Sequence, residues 1–162
     1  MALSRSPRYA TRMASSPDLP LALDLTKDFP RSPRQTLAGY VIAARTLDKC
    51  RAELAGSAGE YHFDCPLDNI FFAFVDVRAH DFKAFVATGA DDEAVAKWIE
   101  DHAQKRARAE IVQFNNEWRG KHLYQLPTKM QLFMEDYIPK NLPTGRIVHH
   151  FFDIYDIEEK RM

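Results

Sequence analysis

The sequence is poor in cysteine and glycine, and both shortages restrict the structures it can form. Its two cysteines, Cys50 and Cys65, form neither a CxxC nor a CxxH motif, which excludes a disulfide framework and argues against a structural zinc site. We therefore expect reduced thiols and a cytoplasmic protein. Only 6 glycines occur among 162 residues. This scarcity indicates few tight turns and favours helices as the main elements.

The sequence also lacks a charge excess, a long apolar run and the common nucleotide-binding motifs. A formal net charge of -1 gives no electrostatic basis for binding nucleic acid. No segment approaches the roughly 20 apolar residues that cross a membrane. P-loop, GxGxxG and GxSxG motifs are missing, which argues against NTP hydrolysis, dinucleotide binding and α/β-hydrolase chemistry. Because no two histidines stand at HExxH or HxxxH spacing, we expect no metal and no cofactor.

The first 17 residues differ in composition from the rest of the chain. They contain Arg5, Arg8 and Arg12, no acidic residue, and no apolar run of the kind found in secretory signal peptides. Organellar transit peptides share this composition, as do many loose basic tails, and Met13 offers an alternative start. We expect a flexible basic extension over residues 1–17, followed by a single domain over residues 18–162.

The clearest helical pattern covers residues 28–56. Ser32 suits the N-cap position, Pro33 the first helical position, and Gln35 the third position of a capping box. An apolar stripe at helical spacing follows, and Gly56 suits the C-terminal end. We expect the cysteine on this stripe to be buried and unreactive. The stripe comprises Leu37, Tyr40, Val41, Ala44, Leu47, Cys50 and Leu54.

Shorter apolar stripes with helical spacing follow along the chain. Residues 146–160 would suit a helix or a strand, and we favour a helix because the apolar residues fit helical spacing. The pattern predicts an all-α, compact single domain of about six or seven mostly short helices, with room for one short extended segment near residues 58–64. Since short helices are weak alone, we expect the 11 phenylalanines to pack them together. The other predicted helices cover residues 66–75, 78–89, 91–104, 107–118 and 127–138.

Several of these motifs together resemble a known bacterial family, domain of unknown function 5069. The resemblance rests on DLTKDFPRSPRQTLAGY (24–40), DKCRA (48–52), CPLD (65–68), GADDEAVAKWI (89–99) and the ending FFDIYDIEEKR (151–161). It covers nearly everything from residue 24 onward. It implies a soluble bacterial protein and implies no activity, because none is assigned to the family. One departure is Asp64, where the family is expected to carry asparagine before the cysteine.

Cys65 is the first candidate for chemistry. It stands directly before a proline at the predicted N-cap of the second helix, where the helix dipole and free N–H groups favour a thiolate. Asp64 and Asp68 disfavour a further negative charge, so a purely structural cap is the alternative role. His62 is near enough in sequence to act as a base. The candidate catalytic residues are Cys65, Asp68, Tyr61 and His62.

Cationic residues cluster in two places. Arg31 and Arg34 flank a predicted helix N-terminus, which suits a carboxylate or phosphate, unless Arg31 pairs internally with Asp24 or Asp28. Residues 45–51 carry further charges, which form either a solvated face with pairs along the helix or a clamp lining a cleft. The candidate ligand-binding residues are Arg31, Arg34, Asp48, Lys49 and Arg51.

Two functions fit these patterns. The favoured one is a small enzyme without a cofactor, or a protein that binds a small anionic ligand; it requires residues 24–35 and 60–68 to meet around a concave site. The alternative is a non-catalytic interaction module, which requires an exposed apolar patch involving Phe72, Phe151 or Phe152. Neither predicts a nucleic-acid or membrane partner, and the sequence leaves the oligomeric state and the reaction open.

Overall fold

The computed structural model describes residues 21–162, which form seven α-helices and one short 3₁₀ helix at Leu123–Gln125. Within this part of the chain there is no strand, only two isolated bridges, Leu37–Tyr40 and His122–His150. The predicted all-α fold of about six or seven mostly short helices is therefore confirmed. The helices are α1 (Ala43–Ala55), α2 (Pro66–Val75), α3 (Ala79–Val86), α4 (Asp92–His102), α5 (Arg108–Arg119), α6 (Thr128–Asn141) and α7 (Phe151–Glu158).

Helix α1 forms the centre of the domain. Every residue from 43 to 52 is buried, including its charged residues, and α1 packs directly against α2 and α3. Helices as short as α3 and α7 gain little stability from their own hydrogen bonds, so burial against such a central element stabilises them. The apolar stripe that predicted α1 lies in this core, where Leu47 and Cys50 have no solvent exposure.

The predicted start of α1 is wrong by about ten residues. The helix begins at Ala43, and the preceding residue Ile42 has a positive φ of 73°. Ala38 and Gly39 also have positive φ values, which an α-helix cannot contain. Ser32 does cap a turn, since its Oγ accepts a hydrogen bond from the backbone N–H of Arg34 at 3.1 Å. A local capping signal is therefore present, but it closes a turn instead of starting a helix.

The other predicted helices agree closely with the structure. Helix α2 begins and ends where its apolar run does, and α4 begins after Asp91, whose carboxylate accepts a 2.8 Å hydrogen bond from the backbone N–H of Ala94. The ambiguous last segment is helical from residue 151, and His150 before it pairs with His122 in an isolated bridge. Residues 58–64 form turns; the extended segment for which the sequence left room is not found there.

Aromatic side chains fill the core, as the phenylalanine content predicted. Phe72 lies between Phe71 and Phe82, with ring centroids 5.3 and 5.4 Å away. Such tilted and edge-on pairs stabilise a core by more than their buried area alone contributes.

The predicted extension over residues 1–17 lies outside the described residues. Among residues 21–162, every helix is too short or too polar to cross a bilayer.

Candidate functional site

A cleft of about 860 Å³ opens between the irregular N-terminal segment, α1, the loop before α2 and the end of α7. Residues 25–29 form one wall and residues 59–62 another. The two sequence segments that were expected to meet around a concave site do meet here. The volume is in the range of pockets that bind small molecules.

Cys65 and Lys49 lie together in this cleft. The Lys49 ammonium, on α1, donates a hydrogen bond to Cys65 Sγ at 3.0 Å and forms an ion pair with Asp68 Oδ1 at 2.8 Å. Only 4% of the Lys49 side chain and none of the Asp68 side chain is exposed. Asp68 also accepts hydrogen bonds from Thr46 Oγ1 at 2.8 Å and from the backbone N–H of Asp64 at 3.0 Å. The carboxylate therefore fixes the position of the ammonium, and the ammonium faces the sulfur.

Cys65 occupies the N-cap position of α2, as its sequence context predicted. Its backbone is extended there, and Asn69 donates its backbone N–H to the Cys65 carbonyl at 3.0 Å. Within residues 21–162, however, the thiol makes no capping hydrogen bond. The sulfur therefore does not cap the helix, and it contacts the Lys49 ammonium instead. Of the two aspartates that flank Cys65 in the sequence, Asp68 is paired with Lys49.

A second buried group, formed by Arg45, Glu159 and two tyrosines, lies in the same cleft. Arg45 pairs with Glu159 through its two terminal guanidinium nitrogens, Nη1 and Nη2, at 2.9 and 2.5 Å. The guanidinium carbon lies 4.9 Å from the ring centroid of Tyr155 and 5.5 Å from that of Tyr61. The Tyr61 hydroxyl donates to Glu159 at 3.3 Å. Paired and stacked in this way, Arg45 is held in one orientation.

The tyrosines of the cleft retain their protons. Burial, followed by the negative charge of Glu159, raises the pKa of Tyr61 above its ordinary value. Burial is also the main cause that raises the pKa of Tyr155, and that of Tyr137, whose hydroxyl donates to Glu158 at 2.8 Å. All three are therefore neutral at physiological pH, and two of them, Tyr61 and Tyr137, use their hydroxyl protons on Glu159 and Glu158.

The remaining cationic candidates lie in internal ion pairs. Arg31 donates to Asp48 at 2.8 and 3.0 Å and to Asp92 at 2.6 Å, and Arg51 reaches Asp92 at 2.7 Å. Burial disfavours the charged form of Asp92, but hydrogen bonds from Arg51 and Arg31 outweigh it and lower the pKa of Asp92. The expectation of a solvated face at residues 45–51 is wrong, because the charged residues of that segment are buried.

Arg34 connects the N-terminal segment to α7. It pairs with Asp153 at 2.5 Å and with Asp156 at 2.6 Å. Burial disfavours the charged form of Asp153, but the hydrogen bond from Arg34 outweighs it and lowers the pKa of Asp153. Arg34 therefore ties two distant segments together, and it does not line the cleft.

The structure thus divides the candidate residues into two groups. Cys65, Tyr61, His62 and Lys49 line the cleft; Asp68 lies behind Lys49, and Arg31, Arg34, Asp48 and Arg51 lie in ion pairs elsewhere. Within residues 21–162, His62 forms no hydrogen bond with Cys65, and the group that touches the sulfur is Lys49. Sequence reasoning did not assign Arg45, Tyr137, Tyr155, Glu158 and Glu159 to the site.

A signal existed for only one of these missed residues. Arg45 stands four positions before Lys49 on the same helix, so both share one face of α1. The tyrosines and glutamates come from α6, α7 and the turn after it, more than 70 positions farther along the chain. No local pattern reveals that these residues reach α1.

Comparison of the chain with models of known protein families identifies the family to which it belongs. A family model described as "Domain of unknown function (DUF5069)" matches residues 27–161. The chain belongs to this family. The resemblance noted in the sequence motifs is therefore confirmed across nearly the whole described domain. A comparison with curated proteins finds no match. The matched range includes Lys49, Cys65 and all the other cleft residues except Leu25 and Thr26. The cleft is therefore built almost entirely from the DUF5069 domain.

Proposed function

We propose that this DUF5069 domain binds a small anionic molecule in the cleft and that Cys65 attacks an electrophilic carbon of that molecule without a cofactor. One observation carries the proposal: Lys49 Nζ lies 3.0 Å from Cys65 Sγ, within a cleft of ligand size. A thiol is a nucleophile as its thiolate, and an adjacent ammonium favours that form. Cys65 is half-buried and lines the cleft, so a bound molecule can reach its sulfur.

The arrangement of charge supports a ligand with one anionic end. The Lys49 ammonium and the neutral phenol of Tyr155 line the cleft, and both are hydrogen-bond donors. The cleft is also lined by carboxylates, those of Asp28 and Glu60 at exposed residues, that of Glu158 bonded to Tyr137, and that of Glu159 paired with Arg45. These carboxylates repel a second anionic group. The favoured ligand is therefore a monoanion whose opposite end is neutral or cationic.

The chemistry follows from these positions. Attack by sulfur on a carbonyl carbon forms a C–S bond and moves the π electron pair onto the carbonyl oxygen. The phenol of Tyr155 stabilises that oxygen by hydrogen bonding, because burial keeps Tyr155 protonated and its residue lines the cleft. Whether the adduct is released as a product or stays bound separates an enzyme from a binding protein, and the ligand determines which occurs.

The alternative function, an interaction module, loses its main support. It required an exposed patch that includes Phe72, Phe151 or Phe152, and that prediction is wrong. The three side chains are 4%, 1% and 0% exposed. They stabilise the core instead of forming a docking surface.

The test is an adduct screen with small carboxylates that carry an aldehyde, ketone or thioester carbonyl. The expected result is a mass increase on the protein in native intact-mass measurement, and thioesters should leave a stable acyl group that peptide mapping locates on Cys65. Cys65→Ser should abolish the adduct and Cys50→Ala should keep it. Matched compounds that lack the carboxylate should react far more slowly. Equal labelling of Cys65 by charged and uncharged compounds would refute an anion-selective site, and complete inertness of Cys65 toward every compound would refute the reaction.

We also propose that the domain acts in the reducing cytoplasm of a bacterium. Its two cysteines are unbridged, which supports a compartment that keeps thiols reduced. Fractionation of the native host followed by detection of the chain would check this placement; recovery from a secreted or membrane fraction would contradict it.

A further inference from the structure

The Cys65 sulfur and the Lys49 nitrogen are in direct contact, at 3.0 Å. We propose that peroxide converts the pair into a reversible covalent cross-link, a sulfenamide between Cys65 Sγ and Lys49 Nζ. The inference rests on the same reactive sulfur as the proposed function, but it needs no ligand.

The geometry places the nitrogen where it can react. Sγ and Nζ are 3.0 Å apart, and Nζ is held there by the buried Asp68 carboxylate at 2.8 Å. Lys49 belongs to α1 and Cys65 to the N-cap of α2, and these helices pack against each other. The amine is therefore present before oxidation at high effective concentration, which is the main requirement for an intramolecular reaction.

Access of oxidant also favours Cys65. The cleft leads from solvent to its sulfur, and hydrogen peroxide is small enough to enter a space of about 860 Å³. Cys50 is the internal contrast, because its side chain has no solvent exposure. Oxidation of a thiol follows its exposure and its thiolate character, so peroxide should select Cys65.

Two balanced steps lead to the cross-link. The Cys65 thiolate attacks one oxygen of hydrogen peroxide, the O–O bond breaks, and sulfenic acid and hydroxide are formed. The sulfenic acid loses its proton to that hydroxide, which gives a sulfenate next to the Lys49 ammonium. A proton then moves from the Lys49 ammonium to the sulfenate oxygen, which regenerates the sulfenic acid and frees the lone pair of the amine. The amine nitrogen attacks sulfur, the S–O bond breaks, and the oxygen leaves as hydroxide, which takes a second proton from the nitrogen and becomes water. Sulfur is oxidised, peroxide is reduced, and the protein loses two hydrogen atoms.

The cross-link would protect the cysteine and close the site. Without a neighbouring amine, sulfenic acid meets a second peroxide and becomes sulfinic acid, which ordinary thiols do not reverse. With Lys49 attached, the sulfur is trapped at a reducible level. Two equivalents of a small thiol restore the free cysteine and the free amine and form one disulfide. The cleft then alternates between a reactive state and a blocked state according to peroxide.

The experiment treats the full-length protein with a small excess of hydrogen peroxide, followed by proteolysis and tandem mass spectrometry. The expected product joins the Lys49 and Cys65 peptides with the loss of two hydrogen atoms, and dithiothreitol returns both peptides to their original masses. Lys49→Arg should remove this product and raise sulfinic acid at Cys65 several-fold. Cys50→Ala should leave it unchanged. Circular dichroism establishes that each variant is folded.

Three results would overturn the proposal: sulfinic acid as the main product in the unsubstituted protein, a cross-link that retains the oxygen atom, or equal sulfinic acid levels with and without Lys49. A separate measurement distinguishes this outcome from failure of the proposed function. Adduct formation with carbonyl compounds uses no oxidant, so its presence without a cross-link would leave the proposed function supported and the redox inference refuted.

Discussion

Lys49 on α1 donates a hydrogen bond to the sulfur of Cys65 at the start of α2, with 3.0 Å between Nζ and Sγ. The contact joins a cation from a buried helix to a thiol that lines a cleft. A lysine buried this deeply requires a partner, and the Asp68 carboxylate provides it. The sulfur lies on the open side of this ion pair, so the pair can modulate the reactivity of Cys65 while remaining protected from solvent.

The first prediction concerns that modulation. In a Cys50→Ala background, Lys49→Met should slow alkylation of Cys65 by iodoacetamide by about tenfold, equivalent to about 1.4 kcal/mol of lost charge stabilisation. The matched control is Lys27→Met, because Lys27 lies at the edge of the same cleft with 82% of its side chain exposed, and it should change the rate little. Adding Asp68→Asn to Lys49→Met keeps the buried site neutral and folded. Unchanged alkylation in both the single variant Lys49→Met and the double variant would show that Lys49 does not activate the thiol.

The second prediction concerns the buried pair of Arg45 and Glu159, whose side chains are 3% and 4% exposed. Arg45→Met should lower the free energy of unfolding by about 3 kcal/mol, because the buried Glu159 carboxylate loses its two hydrogen bonds from Arg45 and keeps only Arg161 and the Tyr61 hydroxyl. Urea unfolding measures the loss, and Lys97→Met in an exposed pair with Asp101 is the control with little effect. The double variant Arg45→Met, Glu159→Leu should lose less than the sum of the single changes; simple additivity would argue against a direct interaction.

The third prediction concerns Asn115 on α5. Its Oδ1 accepts the backbone N–H of Val41 at 3.0 Å, and its Nδ2 donates to the carbonyl of Gly39 at 2.7 Å. Asn115→Ala should therefore destabilise the fold by about 2 to 3 kcal/mol, since a buried backbone group would lose its partner. Asn116→Ala, at an exposed position one residue away, should cost less than about 0.5 kcal/mol. Thermal and urea unfolding of both variants provide the comparison, and similar losses would contradict the role assigned to Asn115.

The fourth prediction concerns Cys50, which the sequence predicted to be buried and unreactive. It is fully buried, and burial raises its pKa to about 12. The native thiol stays protonated while the unfolded thiol ionises from about pH 8.5. Its contribution to stability is therefore complete below about pH 8.5 and is lost as the pH rises, by at most about 1.4 kcal/mol per pH unit.

Urea unfolding between about pH 8 and pH 10 tests this effect, because tyrosines of the unfolded chain ionise only near the upper end of that window. The unsubstituted protein should lose stability more steeply than Cys50→Ala. Parallel pH profiles would show that the Cys50 thiol does not contribute to the pH dependence.

Local chemistry explains which parts of the fold were predictable. Helix α2 was predicted at its observed bounds because a proline begins it and an unbroken apolar run fills it. Helix α4 was predicted because Asp91 caps it, a contact between residues three apart. In both cases, the residues that determine the helix lie within the helix or directly before it.

The start of α1 was not predictable in that way. Ser32, Pro33 and Gln35 form a reasonable N-terminal signal, but the backbone after them reverses through residues with positive φ. Arg31 and Arg34 are paired with carboxylates of α1, α4 and α7, up to 122 positions away in sequence. These pairs, with the hydrogen bonds from Asn115, hold the segment in an irregular path that local propensity disfavours.

Motifs, periodicity and capping act over a few residues, so the amino-acid order was enough to predict the family, the helical class, the burial of Cys50 and the position of Cys65 at the start of a helix. The charge partners, by contrast, depend on the tertiary structure. Arg31 pairs with Asp48 and Asp92, whereas Lys49 pairs with Asp68 and also contacts the Cys65 sulfur. Charge partners are chosen by three-dimensional proximity, and the strength of their interaction depends on burial, so neither can be read along the chain.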